Sequence, residues 1–403
     1  MSTLKATYLQ QASSTNPNIT LDAFGNALVN NATLSPTGSS TNTGNIALTG
    51  TVAMGSSFKR NRIINGDMRV DQRNAGAEVN PAVGGTYYLD RWFATSTSAS
   101  KYKIGQNAGS VTPPAGFTNY LGATSLSAYT VATTDAFGIQ QRIEGLNTSD
   151  LAWGTANAKT VTLSFWVYSS LTGTFAGSIR NSAGNRSYVF SYTINAANTW
   201  EYKTITVAGD ITGTWLTTNG VGLNLYFSIG VGSNFSTTAG SWTAGNYLSP
   251  TGATSVVGTN GATFYITGVQ LEVGSVATPY ERQIYSDQLA QCQRYYYRQT
   301  PAATTALYGQ GLNDSTTAAN GFVAFPVPMR TAPTALEQSG TATHYRVQIT
   351  GNVINCSAVP TFNSADTWFS SVVFTVASGL TAGQASLIRA GSTSGYLGWS
   401  AEL

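Results

Sequence analysis

The sequence is poor in charge: only 9% of its 403 residues are Asp, Glu, Lys or Arg, against roughly 25% in ordinary soluble domains. Its surface must therefore be hydrated by Ser, Thr, Asn and backbone groups, the profile of an extracellular, all-β or fibrous protein. The 20 Lys plus Arg and 17 Asp plus Glu leave a net charge of +3. That excess is too dilute to attract a polyanion, so neither nucleic acid nor an anionic membrane is an expected partner. Histidine is nearly absent, with His344 alone, and this removes His-ligated zinc sites and Ser-His-Asp triads from consideration. The two cysteines, Cys292 and Cys356, lack a C-x-x-C spacing and read as free buried thiols. The longest apolar run, around residues 372–377, falls far short of the roughly 20 residues of a membrane span. The opening Met1-Ser2-Thr3-Leu4-Lys5-Ala6-Thr7-Tyr8 has no apolar core of a leader. These features lead us to expect synthesis in a cytoplasm, no signal peptide and no membrane insertion.

Glycine (42) and tyrosine (21) are abundant, and their arrangement changes along the chain. Residues 1–58 hold little charge or aromatic bulk and contain short β-type tetrads such as Asn18-Ile19-Thr20-Leu21 and Asn45-Ile46-Ala47-Leu48 between Gly and Asn turns. Such a segment cannot bury enough area to offset its own ordering entropy, and we expect neighbouring chains to order it. From Phe58 onward Arg, Trp and Tyr arrive and strands alternate. Val161, Leu163, Phe165 and Val167 share one face of 160–168, and Leu223, Leu225, Phe227 and Ile229 share one face of 222–230. Further strands are expected at 187–194, 202–207 and 262–273, all joined by Gly/Asn/Thr loops without helical periodicity, as in an antiparallel sandwich. The period changes once. Ser286-Asp287-Gln288-Leu289-Ala290-Gln291-Cys292-Gln293-Arg294 carries N-cap residues, places Leu289 and Cys292 on one side and ends in basic residues, which predicts a short helix. Strand patterns return at 321–329, 345–349, 368–376 and 396–403. The predicted fold is all-β: an N-terminal fibrous β segment over 1–58, a central antiparallel β-sandwich over 59–285, a short helical connector over 286–299 and a C-terminal β-sandwich tip domain over 300–403.

Two motifs carry a family resemblance. Asn61-Arg62-Ile63-Ile64-Asn65-Gly66-Asp67-Met68-Arg69-Val70-Asp71-Gln72-Arg73, followed by Tyr88-Leu89-Asp90-Arg91-Trp92, resembles the opening of a jelly-roll domain found in bacteriophage tail fibre proteins. Gly268-Val269-Gln270-Leu271-Glu272-Val273-Gly274-Ser275, with Ala277-Thr278-Pro279-Tyr280-Glu281-Arg282 and Cys292-Gln293-Arg294-Tyr295-Tyr296, is similar to its close. The N-terminal Met1-Ser2-Thr3-Leu4-Lys5 is similar to the starts of cyanophage fibre-like proteins. The resemblance implies a tail fibre or receptor-binding protein in the virion. Such a protein would be a homotrimer, joined through its N-terminus to other phage tail or baseplate proteins and directed at host cell-surface polysaccharide or lipopolysaccharide. The jelly roll also resembles carbohydrate-binding modules that hold a structural calcium ion. Here the turn continues Met68-Arg69, and Thr267-Gly268 stands where an acid belongs, so no metal and no cofactor is expected.

The residues themselves first suggest architectural roles. Asn65-Gly66-Asp67 reads as a turn whose Gly takes positive φ and whose Asp accepts backbone N–H groups. Arg91 is expected to pair with Asp90 or Glu272, and Val269, Leu271 and Val273 to enter the core opposite Gln270 and Glu272. Sugar recognition without charge uses flat aromatic rings for the C–H faces of a pyranose and amides for its hydroxyls. The candidate platform combines Trp166 and Tyr168 with Asn224 and Tyr226, and an interface with the next chain remains the alternative use of those rings. In the C-terminal domain Tyr345, Trp368 and Tyr396 are the candidate contacts, in loops expected to set host specificity, whereas Trp399 is assigned to the core. A glycosidase, as in glycan-degrading tailspikes, needs two carboxylates about 5 to 10 Å apart in a groove. No acid pair here sits in an aromatic-rich stretch, so no catalytic residue is assigned. The alternatives are such a tailspike or a structural adhesin without its own ligand.

Overall fold

The structure is a computed structural model that describes residues 59–403 and, before them, the backbone of three short strands. Those strands, Tyr8–Leu9, Ile19–Leu21 and Ala27–Val29, pair in that order as an antiparallel sheet. The attachment and trimerisation expected of 1–58 concern residues that otherwise lie outside the described ones. Residues Gly55–Leu403 form one compact unit, and it holds two β-sandwiches with separate hydrophobic cores.

In the first sandwich, seven strands run in the order Trp242–Ala244, Arg186–Ile194, Gly173–Arg180, Val221–Val231, Ala136–Glu144, Trp92–Ser96 and Thr86–Leu89. The facing sheet has five strands, in the order Glu201–Val207, Val161–Ser169, Thr263–Val273, Leu121–Ser125 and Tyr102–Gln106. Alternation decides which side chains go inside. Val161, Leu163, Phe165 and Val167 from one sheet and Leu223, Leu225, Phe227 and Ile229 from the other are all fully buried in one cluster. Phe165 meets Phe227 edge-on across the core at 5.0 Å between ring centroids. Two expected strands start one residue early, at Arg186 and Glu201.

The opening motif serves as an extra edge for the closing strand. The Asn61 side-chain amide gives an N–H to Val269 O and accepts from Leu271 N, Arg62 N donates to Leu271 O, and Val269 N donates to Gly66 O. The Gln141 amide bonds Ile64 N–H and C=O at 2.9 Å each, in the manner of a neighbouring strand. Gly66 is required by space and not by φ, because a Cβ there would lie 2.2 Å from Val269 O. Positive φ falls instead on Asn65 (58°) and Met68 (59°). Asp67 is engaged by Arg69 Nε at 2.6 Å and by Gln288 of the helix at 2.9 Å. Val273 is 40% exposed, because it is the last residue of the strand, where the core ends.

The helix spans Tyr285–Gln293, one residue earlier than the expected start at Ser286, and its N-cap is Ile284, whose side chain makes no cap bond. It buries Gln288 and Cys292, with Leu289 only half-buried. Both cysteines are buried and free. The second sandwich packs a sheet of Tyr296–Gln299, Leu397–Ser400 and Glu337–Gln338 against seven strands in the order Asn352–Asn355, Tyr345–Ile349, Ala385–Ala390, Leu307–Asn313, Ala318–Ala324, Phe369–Thr375 and Thr361–Ala365. Trp399 is fully buried between Tyr297 and Phe325.

A charged seam joins the two sandwiches. Arg91 pairs with Glu402, not with Asp90 or Glu272, and its guanidinium lies 3.6 Å from the Tyr295 ring centre. Arg73 reaches Glu402 at 3.2 Å and covers Tyr296. Glu144 accepts both arms of Arg294 and the Tyr295 hydroxyl. Burial raises its pKa, but these bonds outweigh that and hold it below the ordinary glutamate value. The helix and the tyrosines after it are thus part of a buried seam, more than a connector.

Candidate functional site

The five-stranded sheet carries its polar and aromatic side chains on the face away from the core, and that face is only partly covered. Gln270 and Glu272, buried on it, hold the following loop down. Glu272 accepts from the Thr278 N–H at 2.8 Å and its hydroxyl at 2.7 Å, while Gln270 accepts from Glu281 N at 2.7 Å. The loop therefore runs across the outer face as a wall, and beyond it the face lies open. Between wall and sheet is a groove of about 640 Å³ lined by Phe117, Trp166, Tyr202, Tyr280 and Arg282.

Trp166 lines it, tilted against Tyr202 of the neighbouring strand at 5.4 Å. The floor is Gly268, at the register shift. Its φ of +60° suits glycine, and a Cβ there would come 2.7 Å from Phe117 and 3.2 Å from Trp166. Phe117 meets Tyr280 edge-on at 5.3 Å, and the Arg282 guanidinium lies 4.6 Å from the Phe117 ring centre. Beside the groove, Tyr168, Tyr265, Tyr120 and Trp200 close a ring of four aromatic contacts. Tyr168 stacks on Tyr265 at 5.3 Å with planes 6° apart. Tyr120 and Tyr265 are buried, so Tyr168 and Trp200 present the accessible edges of this quartet.

The four residues proposed as one platform fall into two pairs, Trp166 with Tyr168 on one sheet and Asn224 with Tyr226 on the other. Asn224 and Tyr226 belong to the other sheet, and because the two sheets pack face to face, their outer faces point in opposite directions. Tyr226 is 1% exposed, covered by Leu248 and lying over Gly138, where a Cβ would come 2.1 Å from its ring. The C-terminal candidates also separate. Tyr345 is fully buried, its hydroxyl donating to Tyr396 O at 2.6 Å, so it is a core residue and not a contact. Tyr396 is half-buried beneath Arg298, 3.6 Å from its ring centre. Trp368, 59% exposed at a hairpin held by Asp366, precedes a strand that three others separate from the Tyr345 strand.

Sequence reasoning missed Phe117, Trp200, Tyr202, Tyr280 and Arg282. Tyr202 was legible, since it starts an expected strand with the alternation that makes it a neighbour of Trp166. Phe117 and Tyr280 lie in loops whose path only the fold reveals.

No protein-family model matches the chain. No curated protein matches it either. Solved structures with distant likeness include the enzymatically active domain of tailspike protein 4 of bacteriophage CBA120, 13% identical with a TM-score of 0.29 over 53% of this chain and 22% of that one. Another is a family 11 carbohydrate-binding module of a cellulosomal cellulase of Clostridium thermocellum, 16% identical with a TM-score of 0.23 over 48% of this chain and 96% of that one. A third is a xylan-binding domain from Paenibacillus barcinonensis, 14% identical with a TM-score of 0.23 over 51% of this chain and 99% of that one. The chain spans about a fifth of the tailspike chain.

Proposed function

We propose that this protein binds glycan through the outer face of its five-stranded sheet, as a phage tail fibre or receptor-binding protein attaching to host surface polysaccharide. The observation that carries the reading is the Trp166 groove: four aromatic side chains and one arginine around a glycine floor, walled by a loop that the closing motif holds in place. Flat rings of this kind stack on the C–H faces of sugars, while the hydroxyls keep hydrogen bonds to solvent or to polar side chains at the rim. The virion assignment rests on the Asn61–Arg73 and Gly268–Ser275 motifs. Binding without cleavage is part of the reading, since none of the described residues lining the groove is Asp or Glu and a hydrolase needs a carboxylate pair there.

A shallow aromatic site binds at about 1 mM, roughly −4 kcal/mol, and display on several chains raises the avidity. The test is an array of neutral and acidic glycans, followed by titration of the best neutral hit and an assay for new reducing ends. The reading expects saturable binding, lost on Trp166→Ala, without new reducing ends. Binding that Trp166→Ala leaves intact overturns the site, and released sugar overturns the non-catalytic reading in favour of a tailspike.

A further inference from the structure

The seven-stranded sheet of the first sandwich also has an outer face, and it holds a basin of about 460 Å³. Register builds its floor. Arg180, Asn224 and Arg142 stand side by side on three adjacent strands, and the next outward row is Ser178, Tyr226, Gln140 and Phe93. Two arginines thus flank one asparagine, with strands about 4.8 Å apart, an arrangement in which like charges repel.

The repulsion is not relieved by an acidic side chain. Neither Asp nor Glu lines the basin, and neither arginine pairs with an Asp or Glu among the described residues. Arg180 has only neutral side-chain acceptors, Asn246 Oδ1 and, at 3.3 Å, Gln140 Oε1, and its Nε is buried without a partner. Arg142 gives one N–H to the Leu403 backbone oxygen and lies 4.5 Å from the Phe93 ring centre. The Tyr226 hydroxyl, beneath Arg180, is also buried without a partner. Burial pushes the Arg180 guanidinium down to about 10, Tyr226 opposing that fall and Arg142 deepening it. Arg91, Arg186 and Arg294 are each neutralised by an acid, whereas Arg298 and Arg330 spend their donors on main-chain oxygens. Arg180 is left with spare donors facing a concave space.

We propose that this basin is a binding site for the oxyanion of an acidic sugar, a uronate carboxylate or a sulfate ester. The forked guanidinium matches two oxygens of such a group, and the Asn and Gln amides of the basin suit the neighbouring hydroxyls. The site stands apart from the Trp166 groove, on the opposite side of the core, and either can fail alone.

The test titrates the full chain with an oligogalacturonate, a sulfated galactan oligosaccharide, a neutral galacto-oligosaccharide and inorganic sulfate. The expected result is that at least one of the two acidic oligosaccharides binds about tenfold or more tighter than the neutral one, and that rising salt weakens it. Whichever is preferred identifies the oxyanion, and inorganic sulfate binding alone marks an anion hole without sugar recognition and overturns the proposal. Arg180→Gln is expected to lose that tenfold, whereas Trp166→Ala keeps it. Asn246→Asp supplies the missing carboxylate in the place of an existing acceptor. It is expected to lose the acidic ligand equally while the melting temperature holds or rises, which decides the matter should Arg180→Gln fail to fold. Equal binding of acidic and neutral oligosaccharides, or acidic binding that survives Asn246→Asp, overturns the proposal.

Discussion

The two sandwiches both bury aromatic rings and differ in what their outer rings do. In the second, the large rings of Tyr308, Tyr345, Phe374 and Trp399 are buried. The rings left outside, Phe322, Trp368 and Phe369, form no aromatic pair among the described residues. In the first sandwich, a core of aliphatic residues, Phe and larger rings such as Trp92 and Tyr102 is complete without the rings on the outer face of the five-stranded sheet, and these gather beside a tethered loop. Both domains obey the same strand alternation, so alternation does not make a site. What differs is relief: Gln270 and Glu272 fix a wall above the sheet, and an open sheet face becomes a groove.

This contrast is broken or sharpened most strongly by stability. Trp399→Ala removes a fully buried indole and is expected to cost roughly 3–5 kcal/mol, read by denaturant titration, whereas Trp166→Ala changes stability by less than about 1 kcal/mol. Equal losses would erase the distinction between a core ring and a site ring. Next comes the seam. Glu402→Gln leaves Arg91, 1% exposed, without its charge partner, at a cost of about 3 kcal/mol. Calorimetry is expected to show the single transition splitting as the sandwiches uncouple, and an unsplit, unshifted transition would remove the seam from the account.

A smaller effect concerns pH. Burial pushes Asp90 up to about 7, against opposing contributions from Arg73 and from hydrogen bonds of Gln72. Its folded pKa lies above the unfolded one, so its stabilisation is complete below about pH 4 and fades as pH rises through 7, by roughly 2–4 kcal/mol. Asp90→Asn is expected to flatten that stretch of the stability profile, and an unchanged slope counts against the assignment. The smallest effect is at Trp368, where Ala is expected to alter neutral-glycan affinity by less than about twofold, because no second ring or wall accompanies it. A larger loss would move recognition to the second sandwich.

Much of the fold was legible because inward residues repeat with period two and are apolar, as at Val161 to Val167 and Leu223 to Ile229. Gly173–Arg180 and Ala136–Glu144 were missed. The first has Gly177 among its inward positions, between Phe175 and Ile179, and the second places Gln141 in the core, where its amide bonds Ile64. The same rule placed Trp166 and Tyr168 on the outer face. Tyr226 failed because alternation says which way a side chain points and not what covers it. Asn224 failed with it because a sequence does not say which strands share a sheet. The partners of Arg91 and Arg73 were hidden more deeply, since Glu402 follows them by more than 300 positions in the chain and meets them only when both sandwiches are built.

The central claim, that glycan lies on Trp166, is tested most directly by following the indole N–H signals of the eight tryptophans by NMR during titration with a neutral oligosaccharide selected on the array, with Trp166 assigned from the Trp166→Phe spectrum. The account predicts that the Trp166 signal moves along a saturating curve, with a lesser shift at Trp200, while Trp92, Trp368 and Trp399 stay in place. Saturating shifts at Trp368 with a stationary Trp166 would contradict it.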